Sequence, residues 1–132
     1  MKPGSIEYFR WFYGEVHSAE GIQERWTEDV VVHQAPDMPG TAQLFEGHEG
    51  VRAVGRELTE SWSDIEWKPR EVRELGDDRY LVLVSASARG RASGIVLEDE
   101  IAHVVRLADD RVATMDVYLS WDAARDAAGV EI

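Results

Sequence analysis

The chain has 132 residues, a formal net charge of −12, five Trp and no Cys. This length suits one domain built around a single core. The lack of Cys excludes disulfides, a thiol nucleophile and Cys-bound metal, and the acidic balance disfavours nucleic acid and anionic lipid, which select basic surfaces. The acidic residues are scattered, the pattern of solvated faces that keep a domain soluble. No apolar run is long enough to cross a bilayer and no basic-then-apolar leader opens the chain, so a soluble cytoplasmic protein is expected.

Ser5 is placed to cap a first helix, with Glu7 and Tyr8 in its first turn. Ile6, Phe9, Tyr13 and Val16 recur at helical spacing, and Tyr8, Trp11 and Phe12 widen the apolar surface, so this helix covers a sheet. Ser18 to Gly21 breaks it, and a short second helix spans about Ala19 to Trp26. Val30 to His33 is a short β-branched strand. Gln34 to Thr41 holds two Pro and a Gly and reads as a loop, followed by a possible short strand at Gln43–Phe45. A third helix starts near His48, with Val51, Val54, Leu58 and Trp62 on its apolar stripe.

From Ser63 the period changes to that of strands, with Ile65 and Trp67 alternating against Glu66 and Lys68. Pro69 points to a bulge or an edge strand. Tight turns at Gly76-Asp77-Asp78, Gly90–Gly94 and Asp109-Asp110 divide the rest into four long strands, and a short helix from Asp122 to Ala128 closes at Gly129. Consecutive strands joined by tight turns form an antiparallel sheet, and helices gathered before it pack on one face, giving an α+β architecture. Leu97, Asp99, Ile101, His103, Val105 and Leu107 share one strand face. An imidazole on an apolar face must be paired, exposed at an end, or put to use.

Trp26-Thr-Glu-Asp-Val-Val-Val32, Phe45-Glu-Gly-His-Glu-Gly-Val-Arg52, His103-Val-Val-Arg-Leu107, the Asp109-Asp110 turn and Thr114-Met-Asp-Val-Tyr118 follow in an order that resembles the nuclear transport factor 2-like superfamily, in particular its SnoaL-like and ketosteroid-isomerase-like branch. The resemblance covers almost the whole chain, read as one domain over residues 1–132. It implies a conical, strongly curved antiparallel sheet, about three helices of the N-terminal half closing a deep apolar pocket, a short C-terminal helix, and homodimers formed through the outer sheet face. It does not fix the activity, because this fold hosts isomerases, dehydratases, cyclases, epoxide hydrolases and members without known chemistry.

The resemblance places His103 where ketosteroid isomerases carry the protonated acid of the oxyanion hole. An imidazole there donates to a carbonyl oxygen or acts as acid or base; otherwise it is a core histidine bonded to a backbone carbonyl or a Tyr. Asp99, four residues earlier, is ~13 Å away and belongs towards the mouth. The isomerase base, an Asp, matches Gln34, which has no useful proton affinity, so the steroid-isomerase mechanism is not supported. His33 supplies a base only if a bulge turns it inward. Asp37 lies on the following loop. The isomerase Tyr of the first helix matches Arg10, so Tyr13 is either a donor in a shifted register or ordinary core. Asp116 should face outward, which weakens a cyclase assignment.

Ala86 and Ala88 are small where larger side chains would fill a core, and with Trp62, Ile101, Met115, Val117 and Leu119 they frame the expected pocket. His33, His48 and His103 lack metal-ligand spacing, and no phosphate loop or nucleophile elbow is present. The expectation is thus a pocket for a hydrophobic small molecule, with His103 and His33 as catalytic candidates and no metal or cofactor. The chemistry would be isomerase, dehydratase or cyclase work on a polyketide- or steroid-like substrate; the alternatives are a non-catalytic binder and a dimeric interaction module.

Overall fold

The computed structural model describes residues 1–34 and 43–129. In chain order these form α1 (Ile6–Gly14), α2 (Ala19–Arg25), β1 (Trp26–Gln34), β2 (Gln43–Glu46), α3 (Gly47–Ser61), β3 (Trp62–Gly76), β4 (Arg79–Gly90), β5 (Val96–Ala108), β6 (Arg111–Tyr118) and α4 (Trp121–Ala128). The strands make one open, curved sheet in the order β2-β1-β6-β5-β4-β3. The strands β3 to β6 form the expected antiparallel meander, but β1 runs parallel to β6. Only strands joined by a tight turn are bound to be antiparallel. The chain leaves β1 through β2 and α3 and returns after three further strands, so its direction beside β6 was not fixed by any turn.

Local chemistry sets the helix ends. The side chains of Ser5, Ser18 and Ser120 accept hydrogen bonds from the N–H groups of Tyr8, Gly21 and Ala123, capping α1, α2 and α4. Gly129 closes α4 in the left-handed conformation. Trp62, placed on the apolar stripe of the third helix, is instead the extended residue at its C-cap and the first of β3. Helical spacing cannot separate the last residue of a helix from its cap. The first strand begins at Trp26 rather than Val30, because a register shift between Trp26 and Val31 carries the exposed Glu28 and Asp29 inside the strand. Pro69 lies on the edge strand β3 beside a register shift between Pro69 and Glu71.

The aromatic face of α1 buries Phe9, Phe12 and Tyr13 against Val82, Val84, Val105 and Met115 on the concave face of the sheet. Arg25 of α2 is 4% exposed, stacks 3.9 Å over the ring of Trp11, and donates to the carbonyls of Trp11 and Phe12. Those carbonyls lie in the last turn of α1, where no further helical N–H can reach them, so the guanidinium both caps α1 and fixes its angle to α2. A second cluster lies on the convex face, where α4 covers Leu81, Leu83, Ala102, Val104 and Tyr118. The Trp121 indole donates to the Ile101 carbonyl at 2.8 Å and pins α4 there. Part of the outer face expected to pair with a second copy is thus covered by the chain itself.

The β3–β4 and β5–β6 turns are two-residue loops, Asp77-Asp78 and Asp109-Asp110, with all four residues at positive φ. This is the twist that two-residue hairpins require, and Asn-Gly satisfies it with less strain than two like-charged carboxylates. Asp77→Asn combined with Asp78→Gly is expected to raise stability by roughly 0.5–1 kcal/mol in urea titration. An unchanged or lower midpoint would count against strain in that turn.

Candidate functional site

The concave face and the helices α1 and α3 enclose a cavity of about 820 Å³. On β4 it is lined by Ala86 and Ala88, where larger side chains would fill the space. Of the residues singled out from sequence, Tyr13, Gln34, Trp62, Ala86, Ala88, Asp99, Ile101, His103, Met115, Val117 and Leu119 all border this one space.

His103 sits between Val82 and Val117 on the inner face, and is 5% exposed. Its partner comes from α1: the Tyr13 hydroxyl lies 2.6 Å from His103 Nδ1, with the two rings stacked at 29° and 5.6 Å between centroids. Trp67 of β3 closes the other side, 6.3 Å from the imidazole centroid. Burial pushes the Tyr13 pKa well above its ordinary value, so Tyr13 keeps its proton. Burial, and then the nearness of His17, pull the His103 pKa down to about 3. The ring is therefore neutral; among the described residues the Tyr13 hydroxyl has no other acceptor for its proton, so it donates to Nδ1 and the imidazole proton resides on Nε2. His103 is both the pocket residue and the Tyr-bonded core residue that the sequence left as alternatives.

His33 does not join it. Val32 and Gln34 border the cavity while His33 faces the convex side, beside its parallel neighbour Asp116. No bulge turns it inward, so strand alternation decides, and His33 is withdrawn as a catalytic candidate. Asp116 faces outward as expected. Burial raises its carboxyl pKa, opposed by His33 and Arg79. Asp99 is exposed at the mouth and its Oδ1 accepts the Glu100 N–H at 2.9 Å. His48 is tied through Nε2 to the Trp26 carbonyl at 3.0 Å. Arg10, the position matched to the isomerase Tyr, is exposed. Asp37 lies outside the described residues. Among the described residues no three His, Asp or Glu side chains gather as metal ligands, and no helix is long and apolar enough to cross a membrane.

Three polar lining residues escaped the sequence reading: Ser87, Glu98 and His17, of which His17 lies beside the helices. His17 follows α1 in the turn to α2 and borders the cavity. Its place four residues after Tyr13 was a usable signal, because a helical spacing carried through the turn puts both on one side. Several hydrogen bonds hold this turn, among them those from the Trp26 indole to the Val16 carbonyl at 3.0 Å and from the Gly21 N–H to Ser18 Oγ at 3.0 Å. Space for the ring comes from Gly55 in the middle of α3, where a Cβ would stand 3.2 Å from Cβ, Cγ and Nδ1 of His17.

The SnoaL-like domain family matches residues 7–115. The chain belongs to the SnoaL-like family. Solved structures share the fold at low identity. A nuclear transport factor 2-like protein of unknown function from Burkholderia pseudomallei K96243 is 20% identical, with TM-score 0.73 over 96% of this chain and 97% of that one. TerC, co-crystallised with polyporic acid, is 20% identical, with TM-score 0.73 over 97% and 99%. A candidate SnoaL-like polyketide cyclase from Jannaschia sp. CCS1 is 17% identical, with TM-score 0.72 over 100% and 98%. No curated protein sequence matches the chain.

In this SnoaL-like domain the buried His103 and the half-buried His17 dictate a pH response. Burial holds His17 at about 4 and His103 at about 3, whereas both titrate near 6.5 in the unfolded chain. The unfolded state then binds more protons once pH falls below about 6.5. The stability of the neutral rings is complete above that value and is lost as pH drops towards 4 and 3, by up to ~1.4 kcal/mol per pH unit for each ring. His103→Gln should flatten the slope between pH 6 and 4.5 by about one proton in urea titrations. An unaltered slope would mean that His103 is already solvated.

The fit between His17 and α3 gives a second expectation. Gly costs about 1 kcal/mol against Ala inside a helix. His17→Ala removes two of the three atoms that crowd a Cβ at position 55. Gly55→Ala should therefore stabilise the His17→Ala protein more than the parent, by roughly 0.5 kcal/mol or more in a double-mutant cycle. Equal gains would show that the ring does not press on α3.

Proposed function

We propose that the cavity binds a hydrophobic small molecule of polyketide or steroid size, anchored through an oxygen that accepts from His103 Nε2–H. The carrying observation is the Tyr13–His103 hydrogen bond, which occupies one ring nitrogen and leaves the Nε2–H of His103 as a donor on a mostly apolar cavity wall. A cavity of about 820 Å³ falls in the upper part of the usual range for small-molecule sites, ~300–1,000 Å³. TerC offers a parallel in the same fold, having been co-crystallised with polyporic acid.

Where turnover occurs, the chemistry is side-chain acid/base work of the isomerase, dehydratase or cyclase kind. A neutral imidazole polarises a carbonyl by donating a hydrogen bond and needs no change of charge to do so. A ring held at about 3 is a poor base at neutral pH. Among the described residues no carboxylate bonds to it, and Asp99 lies ~13 Å along the strand. That spacing favours binding without turnover as the second reading.

Differential scanning with a panel of polycyclic ketones and phenols tests the proposal, since a ligand at 100 times its Kd stabilises by about 2.7 kcal/mol. A rise of several degrees is expected for carbonyl-bearing members and should shrink in His103→Phe. No shift anywhere in the panel would defeat the binding reading. Mass analysis of the same incubations separates catalyst from binder.

A further inference from the structure

His103 is not the only imidazole on the cavity wall. The ring of His17 lies with its Cγ–Nδ1 edge against the backbone of α3 at Gly55, so its Cδ2–Nε2 edge faces away from that helix. The residue itself borders the cavity. Nδ1 is fully buried and has no hydrogen-bond partner among the described residues. A neutral imidazole carries one N–H and one lone pair. A proton on Nδ1 would be an unsatisfied buried donor, whereas a proton on Nε2 points where a ligand or water can accept it. The second tautomer is therefore the stable one. Among the described residues Nε2 of His17 makes no hydrogen bond, and the same holds for Nε2 of His103.

We propose that His17 is a second ligand-contacting group, and that the cavity selects a molecule bearing two oxygen acceptors on an apolar frame. The proposal rests on the cavity being a ligand site. Two different devices, a tyrosine hydroxyl on one ring and a close-packed glycine on the other, leave both histidines presenting Nε2–H. Two imidazole donors suit two acceptors, and Gln34, Ser87, Glu98 and Asp99 supply the other polar groups of the lining. The pair also limits its own charge, since His17 lowers the affinity of His103 for a proton. The neutral donor form of both rings is thereby protected at neutral pH. The turn that carries His17 is fixed by the Trp26 indole, so the donor is in place before any ligand arrives.

Two measurements test this. Nitrogen-15 spectra of the histidine rings in the unliganded protein at pH 7 should show His17 and His103 both protonated on Nε2 and bare on Nδ1, with assignments taken from His17→Gln and His103→Gln. A proton on Nδ1 of His17 overturns the proposal without touching the cavity reading. The second measurement titrates 2-phenyl-1-indanone and 2-phenyl-1,3-indandione, which share a skeleton and differ by one carbonyl. The parent protein should bind the dione at least fivefold more tightly, about the worth of one hydrogen bond. His17→Phe keeps the ring volume and should abolish that preference, and His17→Gln, which restores an N–H, should recover part of it. The monoketone should respond to His103→Phe and not to His17→Phe. Equal losses for both probes in His17→Phe, or a preference that survives it, overturn the role of His17 alone. If neither probe binds the parent, the cavity reading falls and this one falls with it.

Discussion

A single hydrogen bond, from the Tyr13 hydroxyl to His103 Nδ1, joins the aromatic helix to the middle of the sheet. A polar ring flanked by Val82 and Val117 is tolerable only if its nitrogens are satisfied or open to a ligand. Tyr13 settles one nitrogen and so determines what the other offers. The same bond fixes where α1 sits over the sheet, because Phe9 and Phe12 flank Tyr13 on that helix and must pack when it does. Arg25 holds the far end of α1 and Trp26 holds the turn beyond it. Core packing and the polar character of the cavity are in this way one arrangement.

Much of this could be read in the sequence because it depends on alternation and turn chemistry. The face shared by Asp99, Ile101 and His103, the outward direction of Asp116, the edge position of Pro69 and the acidic turns all follow from a period of two punctuated by Gly and Asp. The β3–β6 meander follows from the same signals. The parallel contact between β1 and β6 was hidden, since no local signal links segments some eighty residues apart. Trp62 was misplaced by one element because spacing does not distinguish a helical residue from its cap.

The site was legible as a set of directions and illegible as a set of contacts. Parity identified Ile101, His103, Met115 and Val117 as residues that border the cavity, small size pointed to Ala86, and the family resemblance pointed to Gln34. It could not name the partner of His103, because the register between α1 and the sheet depends on tertiary packing around Phe9, Phe12 and Arg25. His17 was passed over because it sits in a turn, where periodicity is not counted. His33 shows the converse: adjacency in sequence to a pocket residue places a strand residue on the opposite face.

The open sheet leaves β3 along one margin, fifteen residues long. Its unpaired side would accept any extended peptide, were it flat and apolar. Pro69 removes one donor, and the neighbouring register shift kinks the backbone. On the solvent side Glu66, Lys68, Glu71 and Arg73 alternate in charge and pair within the strand, Lys68 with Glu66 at 3.6 Å and Arg73 with Glu71 at 3.5 Å. Such pairs add little to stability at the surface, but an incoming strand would have to dismantle them and seat itself beside a proline. The longest strand of the molecule is in this way closed to edge-to-edge polymerisation, and this margin of the incompletely closed cone offers no template for fibre growth.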